Sequence, residues 1–190
     1  DLSYAVLSNP KQYEPQFEHR GPRDYYILDL DNFKKDTLLL RQSAALYGMY
    51  SSPNGKYISY FKNNDWWAYD VKRKTHTNLS GKLKYPFYGK VNLLASDGPF
   101  GNPGWSCGDN EILLYDEFDI WIIKPDGSSA KRLTRGREKK IRFRLHIDRQ
   151  NSRKLLYDAP LNETFDLDKE LYLSAAGDNG KTGYWSWSRY

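Results

Sequence analysis

The residues best equipped for chemistry are a serine in Gly104-Trp105-Ser106-Cys107-Gly108, three histidines, an acidic cluster and a basic run. The first is a literal Gly-x-Ser-x-Gly. In serine hydrolases that pattern turns a strand sharply into a helix and leaves the serine hydroxyl exposed beside an oxyanion hole. Here a Gly/Pro-rich stretch precedes the motif, and Asp-Asn-Glu-Ile-Leu-Leu-Tyr follows it, which reads as a turn and a buried strand. A triad in that order also needs an acid and then a histidine downstream, and His146 is the only histidine after Ser106. These surroundings predict a structural turn serine, and no catalytic residue is assigned.

His19, His76 and His146 show no ligand spacing to one another or to Cys107, so neither a metal site nor a cofactor is predicted. Asp116, Glu117 and Asp119, like the pair Asp29 and Asp31, read as turn carboxylates that satisfy free backbone amides. The latter pair lacks the glycine and distal glutamate of a calcium loop. From Lys131 to Arg144 basic residues accumulate beside aromatic ones, a composition that suits phosphates and stacked bases. Within the run, however, Ile141, Phe143, Leu145 and Ile147 alternate with Arg142, Arg144, His146 and Asp148, the signature of a strand with one apolar and one polar face. No nucleic-acid partner is predicted. Arg142 and Arg144 are the candidate substrate-binding residues, because the innermost strand of a propeller blade faces the central channel, where guanidinium groups would attract carboxylates.

The elements that must position these residues repeat along the chain. Ser52-Pro53-Asn54-Gly55-Lys56-Tyr57-Ile58 returns as Ser106-Cys107-Gly108-Asp109-Asn110-Glu111-Ile112, and the register then holds, carrying Asp65 onto Asp119, Trp67 onto Trp121, Leu79 onto Leu133 and Ser80 onto Thr134. Upstream, with a shorter shift, Asp24 falls on Asp65 and Leu38 on Leu79; downstream, Leu155, Leu156, Tyr157 and Asp158 repeat Leu113 to Asp116. Four short strands per copy, turn residues between them and a period of about 40–45 residues describe propeller blades. Trp66, Trp67 and Trp121 recur at matched places, as packing residues do.

The expected fold is all-β: a partial β-propeller of about four consecutive four-stranded antiparallel blades within one domain, near 1–42, 43–80, 104–135 and 139–190. An excursion at 81–103 separates the second and third blades, and the chain is expected to begin and end inside the repeating pattern. With 190 residues, a net charge of +5 and 16% aromatic residues, the composition suits half-buried strands and permits an acidic partner without demanding one. No apolar run approaches the ~20 residues of a membrane span. Cys107 is the only cysteine, so no internal disulfide forms. Open blade faces and strand edges are expected to favour self-association.

Ser52-Pro53-Asn54-Gly55-Lys56 resembles the Ser-Pro-Asp-Gly-Lys blade signature of TolB-like propellers and of the N-terminal propellers of prolyl oligopeptidase family serine peptidases. Asp65-Trp66-Trp67-x-Tyr69-Asp70, and Leu114-Tyr115-Asp116-x-x-Asp119-Ile120-Trp121 followed by Pro125-Asp126-Gly127, resemble the propellers of dipeptidyl peptidase IV-like enzymes of the Bacteroidetes type. The resemblance implies a non-catalytic propeller in an exported peptidase, periplasmic or secreted. There it would shield a C-terminal α/β-hydrolase domain that carries the catalytic Ser, Asp and His, and admit short peptides. It does not extend to the glutamate pair that holds the substrate amino terminus in that family, since this chain has no Glu-Glu. The competing expectation is a TolB-like or other stand-alone propeller that binds proteins.

Overall fold

The computed structural model describes residues 3–17, 21–43, 49–90, 97–147 and 163–190. His19, Asp148 and the expected repeat at Leu155 to Asp158 lie outside them. The chain divides into two compact units, 1–48 and 49–190.

In the first unit, β1 (Tyr4–Asn9), β2 (Pro22–Asp29) and β3 (Lys35–Ser43) make an antiparallel three-stranded sheet. The β2–β3 turn is shaped by Asp29, whose carboxylate accepts the amides of Asp31 and Asn32 at 2.9 and 3.2 Å. The β2–β3 ladder shifts register around Asp24, and there Arg41 takes a left-handed φ of 49° and donates its amide to the Asp24 carboxylate at 2.9 Å.

The second unit begins with β4 (Met49–Ser51), β5 (Tyr57–Lys62), β6 (Asp65–Asp70) and β7 (Thr75–Asn78), paired in that order as the up-and-down meander of a propeller blade. Asn63 and Asn64 join β5 to β6, both at positive φ (53° and 65°), as a two-residue hairpin loop with the strands' own twist requires. The excursion carries its own short hairpin, β8 (Tyr88–Lys90) with β9 (Asp97–Pro99).

Next come β10 (Gly104–Ser106), β11 (Ile112–Tyr115), β12 (Ile120–Ile123) and β13 (Ala130–Arg132), again an antiparallel meander. Both apolar runs, β11 and β12, are buried along their whole length, as strands covered on both faces must be. One helical turn, α1 (Gly136–Lys139), leads into β14 (Ile141–Leu145). Beyond it lie β15 (Glu163–Phe165), β16 (Leu171–Gly177) and β17 (Thr182–Trp187). The fold is thus all-β, in several antiparallel sheets.

Among the described residues only β4–β7 make a sheet of four antiparallel strands, and the last two sheets depart from that pattern in opposite ways. β15 leaves its neighbours in sequence and pairs parallel to β10, giving the third sheet five strands, while β14, β16 and β17 form a sheet of three. Gly104 permits the parallel contact: its φ is 148°, and a Cβ there would lie 2.0 Å from the Glu163 carbonyl oxygen. The core cluster joins Leu113, Tyr115 and Ile120 of the third sheet to Phe143, Leu145 and Leu173 of the last.

The repeat register has a chemical basis. The Ser80 hydroxyl donates to Asp65 at 2.8 Å and accepts the Trp66 amide at 3.0 Å; Thr134 does the same with Asp119 (2.7 Å) and Ile120 (3.2 Å). Each hydroxyl ties the exit of a fourth strand to the start of the third. Asp119 is fully buried, so Thr134→Val strands the Ile120 amide and takes one donor from a buried carboxylate, and should cost about 1–3 kcal/mol. Ser80→Ala should cost less, because Asp65 is only half-buried. Urea midpoints of the two variants measure the difference.

Candidate functional site: the turns and the last sheet

Ser106 lies at the end of β10, 3% exposed, and is followed by a short 3-10 turn, Cys107–Asp109. Its hydroxyl donates to the Glu111 carboxylate at 2.5 Å and accepts the Glu111 amide at 2.8 Å. Ser52 has the same geometry, since its hydroxyl accepts the amide of Tyr57 at 3.0 Å. The glycines of the motif likewise serve backbone shape: Gly104 admits β15, and Gly108 turns the chain at a φ of 75°.

Asp109 stands where the register has Gly55, and both take left-handed conformations, at 60° and 70°. An aspartate there carries a strain that glycine avoids. In return, its carboxylate reaches the preceding blade's turn: the Ser52 hydroxyl donates to it at 2.5 Å, the Asn54 amide at 3.1 Å and the Lys56 amide at 3.3 Å. The Lys56 ammonium donates back to the Gly108 carbonyl at 2.8 Å. Tyr57 and Trp105 stack beside this clamp with ring centroids 5.5 Å apart. Sequence reasoning missed the clamp; an aspartate in a glycine slot was its only signal.

The acidic cluster is similarly occupied. Asp116 accepts the amides of Phe118 (2.8 Å) and Asp119 (2.7 Å) and the indole N–H of Trp121 (3.0 Å). Asp119 also accepts the Gly136 amide at 2.5 Å and pairs with Arg132 at 3.3 Å. Among the described residues, no group of three or more His, Cys, Asp or Glu side chains converges as a metal site.

Arg142 and Arg144 project from one face of β14, as the alternation predicts, but both turn toward the β11–β12 hairpin. Arg144 donates to the carbonyls of Asp116 (3.1 Å), Glu117 (3.2 Å) and Phe143 (2.7 Å), with its guanidinium 4.5 Å from the Tyr115 ring centre. Burial pulls its pKa down to about 10, which leaves it charged at neutral pH. The same burial pushes the Tyr115 phenol up to about 12, and its oxygen accepts the Leu145 amide at 3.0 Å. Arg142 is exposed and donates to the Glu117 carbonyl at 3.2 Å.

The opposite face of the last sheet holds a cavity of about 680 Å³. Its lining includes Ala175, Gly177 and Gly183, small residues set between Ile141 and Trp185, together with Lys139, Lys140 and Lys181. Trp185, 59% exposed, is the ring on this face; its neighbour Tyr184 reaches the lining from β17 but turns its ring to the Arg144 face, against His146. Positive charge beside an exposed ring suits an anionic ligand with an apolar part.

His146 meets Tyr184 edge-on, with ring centroids 5.1 Å apart. His76, on the outer strand β7, has its Nδ1 2.8 Å from the Tyr60 hydroxyl. Burial raises the Tyr60 phenol above its ordinary range. Burial, then Lys62, lowers His76 below its ordinary 6.5.

No family model matches this sequence, and no curated protein matches it. Among solved structures, one described as TolB from Agrobacterium tumefaciens aligns at a TM-score of 0.39 and 15% identity, covering 97% of this chain and 61% of that one. An oligogalacturonate lyase in complex with manganese aligns at 0.34 and 12%, covering 98% and 60%. This chain therefore spans about three fifths of the length of each.

Two outcomes follow from the buried groups. Arg144→Met should destabilise the second unit by about 1–3 kcal/mol by removing the side-chain donor of the Asp116 and Phe143 carbonyls, and Arg142→Met by much less, as chemical denaturation will measure. An NMR titration should place the His76 midpoint below 6.5. Its contribution to stability is then complete above that pH and lost as pH falls through the lowered value.

Proposed function

We propose that the chain is part of a β-propeller that binds or gates and does not cut, within an exported serine peptidase of the prolyl oligopeptidase or dipeptidyl peptidase IV-like kind. In this reading it acts on access: it borders an α/β-hydrolase domain and passes short peptides to it, in the periplasm or outside the cell. The observation that carries the non-catalytic part is the Ser106 hydroxyl, held between the carboxylate and the amide of Glu111 and used as a turn group like Ser52. The blade motifs supply the peptidase part. Among the described residues, no helix is long and apolar enough to cross a membrane.

A second reading, a TolB-like propeller that serves as a protein-binding module, draws support from the basic and aromatic cavity on the last sheet. The coding sequence beyond Tyr190 separates the two. The peptidase reading expects a Gly-x-Ser-x-Gly between a strand and a helix, followed by Asp and then His; further blades and a stop codon overturn it. For the chain itself, the expected outcome is no turnover of peptide or ester substrates. Turnover that disappears in Ser106→Ala would contradict the reading.

A further inference from the structure

Two turns of this chain carry the same three residues, Asn54-Gly55-Lys56 and Asn179-Gly180-Lys181, and they hold its only Asn-Gly pairs. Such a pair can modify itself, because glycine puts no Cβ in the way of the reaction. The glycine nitrogen loses its proton and attacks the asparagine Cγ, and the side-chain nitrogen takes up a proton and leaves as ammonia. Water then opens the succinimide to aspartate or isoaspartate. One water is consumed, one ammonia is released, and a neutral amide becomes a carboxylate.

The two turns share their local geometry. Both asparagines are exposed, and both glycines take left-handed φ values, 70° at Gly55 and 80° at Gly180. Each glycine amide donates to a carbonyl of its own turn, Gly55 to Ser52 at 2.9 Å and Gly180 to Gly177 at 3.0 Å. They differ in what meets the asparagine. Asn179 accepts the Lys181 amide on Oδ1 at 3.1 Å, which draws electron density from its side-chain carbonyl. Asn54 instead faces the Asp109 carboxylate, to which its side-chain nitrogen donates at 3.2 Å and its backbone amide at 3.1 Å. Those bonds hold the side chain on Asp109. The negative charge there also opposes both the loss of the Gly55 proton and the oxyanion that develops on the Asn54 side chain.

We propose that Asn54 is a self-modification site that Asp109 holds in check, and that its conversion locks the clamp between the second and third sheets open. While the clamp is closed, the carboxylate brakes the reaction; a local opening that parts the two turns lifts the brake. The product then sets a carboxylate where the Asn54 side-chain nitrogen stood, 3.2 Å from Asp109. Two carboxylates so close repel when both are ionised, and the turns no longer close on each other. Conversion of Asn54 is therefore a one-way record of clamp opening. The inference goes beyond the gating reading and does not rest on it.

The test incubates the full chain at mildly alkaline pH and follows both asparagines by peptide mapping and mass spectrometry, with Asn179 as the internal reference. In the folded chain Asn54 should convert more slowly than Asn179 by about tenfold or more, the effect of one opposing charge on a developing anion. In concentrated urea the two should convert at the same rate. Asp109→Gly removes the carboxylate and suits the left-handed φ of 60°, so it should fold and bring the Asn54 rate within about threefold of the Asn179 rate. Asn54→Asp should lower the urea midpoint of the second unit, and should lower it far less in the Asp109→Gly background. Equal rates at the two sites in the folded chain, or a difference that persists in urea, overturns the proposal. So does an Asn54 rate unchanged by Asp109→Gly in a folded variant, or a loss from Asn54→Asp that is the same with and without Asp109. Because the two asparagines are compared within the unmodified chain, the test stands even if a variant fails to fold.

Discussion

Asp109, Asp116 and Asp119 are almost wholly removed from solvent, and a buried carboxylate must be surrounded by hydrogen-bond donors. That constraint organises the second unit. Asp109 draws its donors from the turn of the preceding sheet, Asp116 from its own hairpin, and Asp119 from the exit of the fourth strand and the helical turn beyond it. Each fixes a junction at which a polar backbone would otherwise be buried unpaired. Of the three, only Asp119 has an aspartate at its register place in the preceding copy, Asp65; Asp109 replaces Gly55 and Asp116 replaces Lys62.

The same positions recur with different partners. Asp24, in the first unit, occupies the register place of Asp65 and Asp119, yet its donors are the Tyr13 and Tyr26 hydroxyls, the Gln12 side chain and the Arg41 amide. The Arg41 amide, then the Tyr13 hydroxyl, hold its carboxyl below the usual range, and Asp24 in turn raises the Tyr13 phenol. A bulge in β3 presents the amide there, where a fourth-strand hydroxyl serves in the other two sheets. The demand for donors persists although the means of meeting it change.

Much of this was legible in the residues. The match of Ser80 with Thr134 and of Asp65 with Asp119 anticipates a bonded pair, because a hydroxyl and a carboxylate that repeat together have a shared reason. Ser106 falling on Ser52 likewise anticipates a turn serine despite its hydrolase-like flanks. β15 left no such trace: three residues, Glu-Thr-Phe, have no period, and their partner β10 is remote in sequence. The β8–β9 hairpin was hidden in a stretch rich in Gly, Pro and Tyr. For Arg142 and Arg144, alternation gives the face of the strand but not what lies against it, and the hairpin carbonyls they bind are set by tertiary packing.

The central claim is that the buried Asp109 carboxylate couples the second and third sheets of the array into one cooperative body. A double-mutant cycle between Ser52→Ala and Asp109→Ala, followed by urea denaturation, measures that coupling directly. A coupling energy of about 1–3 kcal/mol is predicted, with a single transition for the second unit of the unmodified chain. Additive effects of the two substitutions would contradict it, since the contact would then be an incidental meeting of two turns.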